Sequence, residues 1–134
     1  MIEEILTDSS YTLEDFLLDH AVSPRNLGEP LEYNASAMVE SPHCGDVMRI
    51  YLQINEYDVI VDARFKVFGC GASIAAGSLT TEEIKGKTVG EATLLLETVR
   101  RLFDTEETSG VSCKRLAPVA VKDALTRYLE LNDR

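Results

Sequence analysis

Tryptophan is absent from this 134-residue chain, and histidine, cysteine and proline are scarce, at two, three and four residues. No apolar run approaches the roughly 18 residues of a membrane span. The opening MIEEILTDSS is acidic where a secretory leader is basic. Neither membrane insertion nor secretion is expected, and the expected compartment is the cytoplasm. Three cysteines cannot all pair with one another, so in a reducing compartment they read as free thiols and not as a disulfide frame. Positive charge is in deficit as well: 13 Lys and Arg stand against 23 Asp and Glu, a net charge of −10. A nucleic-acid binder needs a basic face to displace counterions from phosphates, and an anionic membrane asks for the same, so neither partner is expected. The acidic balance suits a protein with a basic patch, or a cation. No repeat, low-complexity tract or Pro/Gly/Ser linker divides the sequence. Residues 1–134 therefore read as one domain, long enough to bury a core unaided, with 1–10 as a flexible arm.

Periodicity supplies the elements. Thr12 to Ala21 reads as a helix capped by Thr12, with Leu13, Phe16, Leu17, His20 and Ala21 on its apolar face and Pro24 beyond its end. Residues 35–41 form a short strand. Val47 to Ile54 alternates, with Met48, Ile50, Leu52 and Ile54 opposed by Arg49, Tyr51 and Gln53. Val59 to Val67 alternates again, with Val59, Val61, Ala63, Phe65 and Val67 on the apolar side, and the polar NEYD between the two predicts a hairpin. The period then changes. Gly71 to Lys85 reads as a helix of small residues, and Glu91 to Phe103 carries an apolar stripe. A last helix presents Ala117, Val121, Ala124, Leu125, Tyr128 and Leu129 on one face; Pro118 argues that it begins near Ala117 and not at Cys113. Weak order is expected over 106–116 in the metal-free chain. Strands followed by helices give an α+β fold: a small antiparallel three-stranded sheet with helices packed on one face.

The cysteines sit at junctions of these elements. Cys44 lies in PHCGD, in a turn before a strand; Cys70 lies in FGCGAS, where a strand yields to a helix; Cys113 lies in VSCKR, ahead of the last helix. A helix N-terminus presents unpaired N–H groups and partial positive charge, a setting that favours thiolate. In Cys44-Gly45-Asp46 the glycine permits a turn that aims thiol and carboxylate at one point. Cys44, Asp46, Cys70 and Cys113 make a four-ligand set for Zn²⁺ or for the iron of a small cluster, although their spacing matches no compact zinc-finger or ferredoxin pattern. His43 is a further candidate ligand, weighed against a plain turn histidine. His20 reads as a packing residue or as support behind the site, and Lys85 and Lys87 as a solvated helix end. The GKT that follows is not a phosphate-binding loop, because the upstream glycine and strand are misplaced for one.

Through PHCGDVMRI, DARFKVFGCGASIAAGSLTTEEIKGKT, SCKRLA and the early LLDHAVSPRNLGEP, the sequence resembles the iron–sulfur cluster assembly scaffolds IscU, the N-terminal domain of NifU, and SufU. The resemblance covers most of residues 13–131 and implies the IscU/SufE-like fold. It implies that Cys44, Asp46, Cys70 and Cys113 hold zinc or a transient [2Fe-2S] cluster, with Asp46 keeping the cluster labile. It further implies that a cysteine desulfurase supplies sulfur to a thiol, Cys113 or Cys44, and that acceptor apoproteins take the product. No catalytic residue in the ordinary sense follows; the role is that of a scaffold, with sulfur transfer of SufU type or a structural zinc adaptor as the alternatives. The chain departs from the pattern before Cys113. TEETSGVS replaces the Leu-Pro-Pro-Val-Lys stretch on which relatives dock an Hsp70-type chaperone, so the resemblance does not extend to that partner. Ser112 stands at the relatives' histidine, and the SufU insertion of about twenty residues, a length class typical of functional loops, is missing.

Overall fold

The computed structural model describes residues 13–41, 45–104 and 114–132. The arm at 1–10, the Thr12 cap, His43, Cys44 and Cys113, and with them most of the segment expected to be weakly ordered, lie outside the described residues. Seven elements follow in chain order: α1 (Leu13–Val22), β1 (Ala35–Glu40), β2 (Val47–Ile54), β3 (Ile60–Phe68), α2 (Gly71–Ile84), α3 (Val89–Asp104) and α4 (Leu116–Asn132). The strands form one antiparallel sheet in the order β1-β2-β3. Among the described residues no helix is long and apolar enough to cross a membrane.

One sheet face is the core. Ala37, Ile50 and Phe65 stand in one rung and Ala35, Leu52 and Ala63 in another, all buried. Helix α4 lies on β1 and β2, α2 lies on β3, α3 packs on α4, and α1 packs on α2. Pro118 falls in the first turn of α4, where its missing N–H removes no intrahelical bond. Helix α3 starts two residues earlier than its apolar stripe suggests, because Thr88 and Glu91 form a reciprocal cap: Thr88 N–H donates to Glu91 Oε1 at 2.9 Å, and Glu91 N–H to Thr88 Oγ1 at 3.1 Å.

The expected alternation fails at the start of β3. The register shifts between Gln53 and Ile54, so that Ile54 pairs with Ile60 while Gln53 pairs with Asp62. This bulge buries Ile60 completely and leaves Val61, expected in the core, 52% exposed. Two other expected core positions, Ala21 and Leu129, are also on the surface. The side chains of Leu13 and Phe16 are outside the description. The GKT turn has a backbone role. Gly86 N–H donates to Ile60 C=O, Ile60 N–H to Lys87 C=O, and Val89 N–H to Asp58 C=O, clamping the start of β3. Lys85 is less solvated than expected and lies 3.7 Å from Asp62.

Helix α2 lies close on the sheet because of Gly77. A Cβ there would come within 2.6 Å of the Phe65 ring, which is itself fully buried. Gly77→Ala is expected to destabilise by a net ~1 kcal/mol: overpacking costs about 1–3 kcal/mol, and the better helix propensity of alanine returns about 1. A lowered urea midpoint at unchanged slope checks this.

On the far side of α2, His20 of α1 is completely buried, with Nδ1 2.6 Å from Ser78 Oγ. Ser78 Oγ also accepts the Arg25 N–H at 2.8 Å, which leaves its own proton to donate to a neutral imidazole. The loop after α1 then seals the free edge of β3: Phe65 N–H donates to Asn26 C=O, and Gly28 N–H to Phe65 C=O. His20 is thus a packing residue that ties α1 and this loop to α2.

Candidate metal and cluster site

The site grows from one end of the sheet, where Val47 pairs with Phe68. Beyond that rung the chain leaves β3 through Gly69 and enters α2 at Cys70. On the neighbouring strand it enters β2 from Asp46. Antiparallel pairing therefore sets Asp46 beside the start of α2, although they are far apart in sequence. The turn before β2 is closed by two backbone bonds, Gly45 N–H to Ser41 C=O and Ser41 N–H to Asp46 C=O. Gly45 takes φ +72° there, the left-handed conformation that glycine adopts without penalty.

Asp46 is 7% exposed, and its carboxylate faces the helix terminus. Oδ2 accepts the Cys70 N–H at 3.2 Å and the Ser73 hydroxyl at 2.6 Å. Cys70 is the N-cap of α2, but its side chain makes no capping bond. The carboxylate of Asp46 supplies that function from across the sheet, where a negative group meets unpaired N–H groups and the positive end of the helix dipole. Cys70 is exposed, with Sγ 3.7 Å from Ser73 Oγ. A thiol open to solvent, a carboxylate held beside it and a hydroxyl behind both make a coherent donor cluster.

Of the four expected ligands the structure brings Asp46 and Cys70 together; Cys44 and Cys113 lie outside the described residues. Among the described residues no three of His, Cys, Asp or Glu gather as a ligand set. Asp46 and Cys70 fit a thiophilic metal or cluster iron, since they offer one soft and one hard anionic donor with the thiol accessible from outside. Lys114, next to Cys113 in the chain, is buried, and Arg115 is exposed.

Two roles escaped the reading of the sequence, which gave Gly69 only a close backbone approach to a ligand. A Cβ on Gly69 would sit 2.5 Å from the Asp46 carboxylate, so only glycine admits Asp46 to its place. Ser73, read as one small residue among many, is fully buried and bonded to Asp46. The available signal was partial: α2 is small on several faces, so its hydroxyls are buried, and Ser73 finds a partner in Asp46 while Thr80 Oγ1 has none among the described residues. Gly69→Ala is expected to push the carboxylate off Cys70 N–H and Ser73, at a cost of about 1–2 kcal/mol in chemical denaturation. Gly71→Ala, where a Cβ meets nothing within 4 Å, is the near-neutral control.

The family model of the NifU-like N terminal domain matches residues 12–134. The chain belongs to this family. Among its NifU-like relatives, the iron-sulfur cluster assembly scaffold protein IscU of Azotobacter vinelandii is 40% identical over 121 residues, covering 85% of this chain and 91% of the relative. The scaffold protein IscU of Escherichia coli K12 is 39% identical over 119 residues, covering 84% and 90%. Two solved structures share the fold at 22% identity. The SUF-system scaffold FiSufU of Fervidobacterium islandicum AW-1 superposes with a TM-score of 0.71, covering 89% of this chain and 98% of that one. A NifU-like N-terminal protein of Brucella abortus superposes with a TM-score of 0.62, covering 98% of each. The α+β fold with its three-stranded antiparallel sheet is that of these NifU-like structures.

Proposed function

We propose that this chain is a scaffold on which an iron–sulfur cluster is built and from which it is delivered to acceptor apoproteins. The observation that carries the reading is the Asp46 carboxylate held against the N-terminus of α2 beside the exposed thiol of Cys70, in a chain of the NifU-like N-terminal family. Cys44 and Cys113 complete the ligand set, and the cargo is a [2Fe-2S] cluster, with Zn²⁺ as the occupant in the absence of iron. A cysteine desulfurase is the sulfur source, and Cys113 or Cys44 accepts its persulfide sulfur. The setting is cytoplasmic. Three thiolates and one carboxylate suit a cluster meant to leave, because carboxylate is the harder and less committed donor to such iron.

The test is anaerobic incubation of the purified chain with desulfurase, cysteine and Fe²⁺, followed by visible absorption and iron and sulfide analysis. A cluster spectrum with matched iron and sulfide, abolished in Cys70→Ser, supports the scaffold. Faster desulfurase turnover with zinc retained and no cluster replaces it with a zinc-dependent sulfurtransferase. A permanent metal over unreactive thiols leaves a structural zinc adaptor.

A further inference from the structure

We propose that Ser73 is a positioning residue for Asp46, and that its hydroxyl sets how firmly the site holds a divalent metal. The inference rests on the reading of Asp46 as a ligand. Ser73 is the third residue of α2, and no part of it reaches solvent. It stands between the two described donors: its O–H donates to Asp46 Oδ2 at 2.6 Å, and Cys70 Sγ lies 3.7 Å from the same Oγ.

Packing alone does not explain a hydroxyl there. Ala75 and Ala76 meet the core from the same helix without one, and a buried hydroxyl is costly unless it is bonded. The bond it makes is to a carboxylate, the stronger kind. Three constraints thus converge on one side chain: the Ser73 hydroxyl and the Cys70 N–H both hold Oδ2, and the missing Cβ of Gly69 shapes the slot. A donor on one carboxylate oxygen fixes the plane of the group. Asp46 then meets a metal as an oriented donor that loses no rotamer freedom on binding. Hydrogen bonds of this kind behind a ligand are worth about 10–100-fold in metal affinity.

Co²⁺ alone is the probe, because its visible absorption reports both thiolate ligation and coordination geometry. The metal-free full chain is titrated against a competing chelator as wild type, Ser73→Ala, Ser73→Thr, Asp46→Ala and the Ser73→Ala/Asp46→Ala double variant. Thermal melts of the metal-free forms verify folding. Ser73→Ala is expected to weaken Co²⁺ binding about tenfold and to shift the ligand-field bands. Ser73→Thr, which keeps the hydroxyl, restores both, and Ser73→Ala adds no loss on top of Asp46→Ala. Should the added methyl of threonine disturb folding, the double-variant cycle decides alone. Wild-type affinity and spectrum in Ser73→Ala, with a loss in Asp46→Ala, overturn the positioning role and leave Asp46 a ligand. Additive losses in the double variant overturn it too, since Ser73 would then act independently of Asp46. An Asp46→Ala variant that binds Co²⁺ as wild type does removes the ligand reading, and the inference with it.

Discussion

Between pH 8 and pH 4 the unfolding free energy falls by about 3 kcal/mol through His20 alone. In the folded chain His20 has its pKa lowered to about 4, from an ordinary 6.5. Burial of the ring is the main cause, and the nearby positive charge of Arg25 adds to it; the negative charges of Asp19 and Glu82 oppose it. The folded state resists protonation while the unfolded state accepts it freely. Stability from this group is therefore complete above the unfolded pKa and is lost as pH falls towards the folded one. Urea denaturation of wild type and His20→Gln across this range isolates the effect, since glutamine can still bond Ser78 but does not titrate. The two curves should converge as pH drops; parallel curves would contradict the burial argument. Asp19 is held below the usual carboxylate range by its bond to Arg25, and Glu91 by its bonds to Thr88. Their contributions are present above the ordinary carboxylate pKa and fade only below it, so they leave the upper part of the histidine window clear.

Replacing Asp46 with cysteine is expected to slow cluster transfer to an acceptor by about ten- to hundredfold, the factor that roughly 1.4–2.7 kcal/mol of added barrier supplies. In the proposed ligand set the substitution exchanges the hard, buried carboxylate for a fourth thiolate. The ligand set then becomes that of a protein that keeps its cluster. The measurement is the rate at which a cysteine-bearing apoprotein acquires circular dichroism in the visible from the loaded variant. Asp46 also caps α2 through Cys70 N–H. The metal-free variant should therefore lose about 1 kcal/mol of stability, a separate readout that shows the cap is gone. Transfer at the wild-type rate would take Asp46 out of the ligand set.

Most of the architecture was legible because the elements announce themselves by period. Met48, Ile50, Leu52 and Ile54 specify one face of β2, and the switch to three- and four-residue spacing after Cys70 marks α2. What was not legible came from choices that local pattern leaves open. Val59-Ile60-Val61 is apolar throughout, so alternation can begin on either parity, and only pairing with β2 selects Ile60 for the core. Tyr51 points to the polar side of the sheet as expected. It is nevertheless buried, because the loop after α1 brings Glu29 to its hydroxyl and Tyr33 against its ring. At the site, the junction placement of Cys70 and the turn at Gly45 were visible in the sequence. The capture of Asp46 by Ser73 was not, because it depends on how closely two strands and a helix converge.

The placement of Asp46 and Cys70 just past the terminal Val47–Phe68 rung has a dynamic consequence. Ladder ends fray at far lower free energy than whole domains unfold. Opening this one rung, once the bonds from Asp46 to Ser73 and the Cys70 N–H are also broken, would part carboxylate from thiol while the buried layer under Ile50 and Phe65 stays shut. Amide exchange at Val47 and Phe68 therefore tracks the integrity of the pair, independently of the stability of the rest of the molecule.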